Sequence, residues 1–149
     1  MKRVTIVIAC ATAVLLAPSL AAAQQASPLP KPVGPYSPFV ETGELVFLSG
    51  QIAIDPATGV LDRDAAIEAQ TRQVWRNIEG VLRGAGLELA DIVSATVYLT
   101  DMGDYTRMNA TYAEMLGAVR PARTTVAVQA LPLGARIEIA VVAARRPKP

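Results

Sequence analysis

The chain has 149 residues and 15.7 kDa, with 14 Lys+Arg against 13 Asp+Glu and no histidine. That length suits one domain plus a short tail, and a net charge of +1 offers no broad electrostatic footprint for nucleic acid. Without His, and with one cysteine (Cys10), Ser-His-Asp and Cys-His catalysis and His-ligated metal sites are excluded.

The chain opens on an address. Lys2 and Arg3 precede an uncharged run from Val4 to Leu20, and Ala21-Ala22-Ala23 supplies a small-x-small site before Gln24. This is the three-part pattern of a secretory signal peptide, residues 1–23, with cleavage near Ala23. The run is short for a spanning helix, and Pro18 interrupts its end. An uncleaved anchor is the alternative. A lipoprotein signal at Ile8-Ala9-Cys10 would leave too short an apolar region. The expected setting is periplasmic or secreted, with no membrane contact after cleavage. Removing the leader takes two cations and Cys10, leaving a net charge of −1 and no thiol. No disulfide supports the mature chain.

Residues 24–35 contain Pro28, Pro30, Pro32 and Pro35 and read as an extended arm. Residues 36–149 then read as one domain. Tyr36 to Val40 reads as a first strand and Leu45 to Ser49 as a second. Thr42-Gly43-Glu44 turns between them as a hairpin. Gly50 to Ile54 continues in extended form, and Asp55-Pro56-Ala57-Thr58-Gly59 makes a turn.

A helix is predicted over about 64–83, capped by Asp62 or Asp64 and stopped by Gly84 and Gly86. Ile67, Thr71, Val74, Ile78, Val81 and Leu82 draw its apolar stripe, and Trp75 beside them reads as boundary packing. Ile92 to Leu99 alternates as a strand. A second helix follows over about 104–116, with a stripe of Tyr105, Met108, Tyr112, Met115 and Leu116. Thr124 to Val128 and Arg136 to Ala144 are the last strands, joined by a turn at Leu131-Pro132-Leu133-Gly134.

The order β-β-α-β-α-β-β predicts an α+β fold, a mixed sheet with two helices on one face. The last strand is apolar on both sides, since Ile137, Ile139 and Val141 alternate with Ala140 and Val142. The sheet's other face therefore needs a cover, and self-association is the simplest one.

Few residues offer chemistry. Arg123 starts an apolar strand after Arg120-Pro121-Ala122 and is either a carboxylate-binding guanidinium or a solvated strand-end charge. Glu138 sits among apolar residues, pointing either to solvent or into an interface where desolvation would suit it to proton transfer. Tyr36 either closes over a ligand or pins the arm. Ser49-Gly50-Gln51 permits close approach to backbone N–H groups. Asn109-Ala110-Thr111 fits the glycosylation pattern but falls on a helix, as surface or as a site-facing amide.

The segments Gly34-Pro35-Tyr36-Ser37, Leu48-Ser49-Gly50-Gln51-Ile52, Ala85-Gly86-Leu87, Asp91-Ile92-Val93, Asn109-Ala110-Thr111-Tyr112, Pro121-Ala122-Arg123 and Ile137-Glu138-Ile139 stand in order over residues 32–146. Together they resemble the Rid, or YjgF, family of reactive-intermediate deaminases. The resemblance implies a chorismate-mutase-like fold and a homotrimer with sites between subunits. It implies hydrolysis of enamines and imines such as 2-aminoacrylate to 2-keto acids and ammonia, without metal or organic cofactor. By position, Arg123 would hold the substrate carboxylate, Glu138 would orient water, and Tyr36 would close the pocket. Ser49 and Gly50 would line it, with Asn109 and Thr125 as wall residues.

The sequence departs from the family pattern at three positions. Thr125 replaces a common Cys, Thr124 a smaller Ser or Ala, and Ala140 a second Glu. These bear on substrate preference more than on the reaction. The partners expected are a small imine or enamine carboxylate and further copies of the chain, with no nucleic acid. The alternative is a trimer that binds small carboxylates or unfolded clients without catalysis. A ribonuclease activity, another possibility among such proteins, fits poorly with the charge balance and the missing His.

Overall fold

The computed structural model describes Pro32 and residues 34–145, so the leader, most of the proline arm and the C-terminal end lie outside the described residues. Five strands and two α-helices follow in the predicted order. They are β1 (Phe39–Thr42), β2 (Leu45–Leu48), α1 (Ile67–Gly84), β3 (Ile92–Leu99), α2 (Tyr105–Leu116), β4 (Ala122–Ala127) and β5 (Ile137–Ala144). The sheet runs β1-β2-β5-β3-β4. Every neighbour is antiparallel except β3 and β4, which α2 connects as a parallel pair. No described helix is long and apolar enough to cross a membrane.

Period-two alternation sorts the strand side chains between two faces. Val46, Leu48, Ala95, Val97, Leu99, Ile137, Ile139, Val141 and Ala143 are buried and form one face of the core. Both helices pack there. The predicted stripe of α1 is buried throughout, and Met108, Tyr112 and Leu116 of α2 complete the layer. On the other face, register aligns Val40 with Phe47, Phe47 with Val142, and Val126 with Tyr98. Val40, Leu45, Phe47 and Val126 are exposed there.

Several expectations need correction. Tyr36 lies outside β1 because the strand begins at Phe39, after Pro38, which has no N–H to give to a ladder. β4 begins at Ala122, so Arg123 is inside the strand rather than before it. Neither Asp62 nor Asp64 caps α1. The N-cap is Ala66, without a side-chain bond, and Asp62 instead accepts from the backbone N–H of Asp64. The segment before the helix is held by Gln70, whose amide donates to the carbonyls of Asp62 and Arg63.

The helix stops as predicted. Gly86 has φ +71°, and Leu87 N–H donates to Leu82 O at 2.8 Å while Gly86 N–H donates to Arg83 O. That paired closure requires a left-handed residue, which glycine adopts without strain. Trp75 is not at the boundary. It is fully buried and meets Tyr112 edge-on, with ring centres 5.1 Å apart. Trp75 lies one residue past Val74, on the flank of the stripe that α2 closes over.

Candidate functional site

Two clusters contain the chemistry-bearing residues, and the sheet separates them. The first surrounds Arg123 on the edge strand β4. Arg123 pairs with Ala95 of β3, so its side chain lies on the helix-covered face. There its Nη1 donates to Asn109 Oδ1 at 2.7 Å and its Nη2 to the Tyr105 hydroxyl at 3.3 Å. The guanidinium carbon stands 4.6 Å from the centre of the Tyr112 ring, an electron-rich platform for a cation. No described carboxylate forms an ion pair with Arg123. The cation is fixed in orientation but electrostatically unanswered, as a carboxylate receptor requires.

Two hydroxyls beside this cation are buried without a hydrogen bond of normal geometry, Tyr112 Oη and Thr125 Oγ1. Burial pushes the Tyr112 phenol up, against the opposing pull of Arg123 and Arg120. Asn109, Tyr112, Ala113, Arg120, Pro121 and Arg123 line one open pocket.

The second cluster surrounds Glu138 on β5. Glu138 pairs with Tyr98 and alternates with the core residues Ile137 and Ile139, which turns it to the helix-free face. Its carboxylate has no hydrogen bond or ion pair among the described residues. Burial pushes it above the ordinary carboxylate value of 4.5. A glycine makes room for it. A Cβ at Gly50 would stand 2.8 Å from Glu138 Cδ and collide with Oε1. Any larger residue at position 50 must displace the carboxyl group.

Tyr36, Ser49, Gly50, Gln51, Pro132 and Glu138 share one cleft, with Ile52, Ile54 and Asn77 behind them. Ser49 ties the arm to this wall. Its hydroxyl donates to Ser37 O at 2.7 Å, and its N–H to Pro38 O at 3.0 Å. Gln51 exchanges backbone hydrogen bonds with Ile139, which sets the segment after β2 against β5. The five-residue stretch predicted as extended, Gly50 to Ile54, is thus reduced to single bridges, Gln51 with Ile139 and Ile54 with Leu61.

Comparison with known proteins fits this architecture. Residues 26–145 match the family model described as endoribonuclease L-PSP. The chain belongs to that family, also called the YjgF or Rid family. It is 47% identical over 114 residues to a RutC family protein of Pyrococcus horikoshii, covering 76% of this chain and 90% of that one. It is 41% identical over 120 residues to the 2-iminobutanoate/2-iminopropanoate deaminase of Salmonella typhimurium, covering 78% and 92%. The crystal structure of E. coli TdcF with bound serine superposes with a TM-score of 0.74 at 34% identity, over 80% of this chain and 95% of that one. The mixed five-stranded sheet with two helices is the architecture of the Rid family.

For a Rid protein, the placement of the predicted site residues is informative. Tyr36, Ser49, Gly50 and Glu138 share the cleft. Arg123 and Asn109 share the other pocket, and Thr125 lies two residues along the same face of β4. The two groups do not meet within one chain.

Sequence reasoning missed the supports. Tyr105 and Tyr112 were legible only as an apolar stripe, yet they hold the guanidinium. Asn77 is buried, and its amide donates to the carbonyls of Ile52 and Ile54 at 3.0 and 2.8 Å while Gln73 donates to its oxygen. Its signal was present: an amide three residues from Val74, on the buried flank of α1. No group of three His, Cys, Asp or Glu among the described residues gathers to hold a metal ion.

Proposed function

We propose that the protein hydrolyses reactive 2-imino acids, and the enamines that tautomerise to them, at sites shared between two copies of the chain. The single observation supporting this reading is the split. An unanswered guanidinium stands on one face of the sheet, and an unanswered, partly buried carboxylate stands on the other. The exposed strip of Val40, Leu45, Phe47 and Val126 supplies the apolar area by which copies would associate. A homotrimer would bring Arg123 of one copy to the Glu138 cleft of the next.

The chemistry needs little more. Arg123, clamped by Asn109 and Tyr105 over the Tyr112 ring, takes the substrate carboxylate in a bidentate pair. That places the imine carbon toward Glu138. Glu138 accepts a proton from water as the water oxygen bonds to that carbon. That proton passes to the nitrogen to give a carbinolamine, Glu138 then carries the hydroxyl proton to the nitrogen as the carbon–nitrogen bond breaks, and a 2-keto acid and ammonia leave. Its raised proton affinity makes Glu138 a better base than an exposed carboxylate. Tyr36 closes the cleft mouth, Ser49 and Gly50 form the wall beside the water, and Thr125 flanks the bound carboxylate. The name of the Salmonella relative supports the substrate class, and the leader over residues 1–23 would place the activity outside the cytoplasm.

The test couples an amino-acid oxidase to the protein, with semicarbazide trapping the imine. Wild-type protein should suppress semicarbazone formation, and R123A and E138Q should each fail to do so. Refolding the two inactive chains together should restore about a quarter of the wild-type rate, since a trimer mixed at random regenerates that share of sites. Failure of wild type to suppress the trap would overturn the hydrolase. Absence of recovery on mixing would overturn the shared site.

A further inference from the structure

Arg123 is not the only cation in its pocket. Arg120 lines it as well, three residues earlier, beyond Pro121. Its Nη1 donates to the carbonyls of Gly117 and Val119 at the end of α2, which holds the head group in place. Its Nε and Nη2 have no acceptor and no carboxylate partner among the described residues. The acids of α2 and its N-cap are committed elsewhere. Glu114 of α2 pairs with Arg72 at 2.8 Å, and Asp104 pairs with Arg136 at 2.6 Å. Both guanidinium groups also act on the Tyr112 phenol, whose hydroxyl is buried in the same pocket without a good partner. The pocket thus presents two fixed cations, an orphan hydroxyl and no anion.

A monocarboxylic substrate would answer only one of those cations. Two guanidinium groups at one pocket match a ligand with two anionic ends. We infer that the site prefers dianionic substrates, the 2-imino derivatives of dicarboxylic amino acids, with Arg123 on the carboxylate next to the imine and Arg120 on the distal one. The inference rests on the hydrolase reading for its reaction but not for its binding preference. Arg120 is therefore a specificity residue, and its contribution weakens with added salt because its side chain is exposed.

Two measurements test it. Trp75, the chain's single tryptophan, packs on Tyr112 and reports on the pocket by fluorescence without turnover. Titration with 2-oxoglutarate and with 2-oxobutanoate should show the dicarboxylate bound about five- to tenfold more tightly. In R120Q that ratio should fall to about one, while R120K, which keeps the charge without the planar fork, should retain part of it. The kcat/KM ratio of the corresponding imines should move in parallel. Thermal melts of both variants separate this effect from loss of the α2 carbonyl contacts.

Equal affinity for the two keto acids in wild type overturns the inference, as does a preference unchanged in R120Q. If imines are hydrolysed with no dicarboxylate preference, the hydrolase stands and the inference fails. If the preference is present but no imine is hydrolysed, the two-cation pocket stands and the hydrolase fails.

Discussion

The two faces of the same five-stranded sheet were built to different rules. Under the helices, the inward-pointing residues Val46, Leu48, Ala95, Val97, Leu99, Ile137, Ile139, Val141 and Ala143 are apolar side chains closed off from water, and Arg123 stands on the edge strand β4 against the Tyr112 ring. The opposite face keeps Phe47 and Val126 exposed and carries an acid, Glu138, in its last strand. The covered face contributes stability and a fixed guanidinium. The open face contributes a partly buried carboxylate and an exposed apolar strip. Under the proposed function, a site divided this way would make catalysis depend on assembly.

Several substitutions would break or sharpen that contrast. The largest effect falls on chemistry. E138Q should lower kcat by about 100-fold to 10,000-fold while the protein stays folded. The acid limb of the wild-type pH–rate profile should lie above the ordinary carboxylate value of 4.5, because only the ionised group accepts the proton. An acid limb at or below that value would remove Glu138 as the base.

On the covered face, W75A empties the centre of the core. It should cost about 3–5 kcal/mol in urea unfolding. On the open face, Phe47→Asp should leave each chain folded by circular dichroism, dissociate the oligomer in light scattering, and abolish imine hydrolysis. A variant still assembled would mean that copies meet elsewhere.

A smaller cost is expected at the hinge between the faces. Asn77→Ala strips the carbonyls of Ile52 and Ile54 of their buried donor and should cost about 1–3 kcal/mol, with KM raised as the cleft wall loosens. The smallest effect concerns stability and pH. Burial raises the proton affinity of Glu138 in the folded state, so folding is favoured by this group at low pH. That advantage is lost as pH rises from the ordinary carboxylate range through the raised value. At neutral pH E138Q should therefore melt slightly above wild type, by less than about 1 kcal/mol of stability, and the difference should vanish in acid. A variant less stable at neutral pH would show that the carboxylate has partners in the assembled protein.

Much of this was legible in the chain itself. The stripe from Ile67 to Leu82 named α1 and its buried face, because a 3.6-residue period with six apolar or small positions allows only one helix orientation. Gly86 named the helix stop. Arg123 and Glu138 were visible as charges in apolar strands. What misled were local signals that tertiary contacts overrode. Asp62 and Asp64 are good capping residues by type, yet the side chain of Gln70 takes up the preceding carbonyls and the helix begins later without them. Trp75 looked like a rim residue because nothing in α1 alone reveals that α2 lies across it.

The sequence by itself determined the order of the elements, the two-sided apolar strands and the identity of the charged side chains set in them, since these depend on periodicity and residue type along one segment. Only the tertiary structure decided which of those side chains share a space. Strand register turns Arg123 toward the helices and Glu138 away from them, and a one-residue slip in either strand would reverse its direction. That choice is fixed by pairing between distant segments. It is also what divides the Arg123 pocket from the Glu138 cleft.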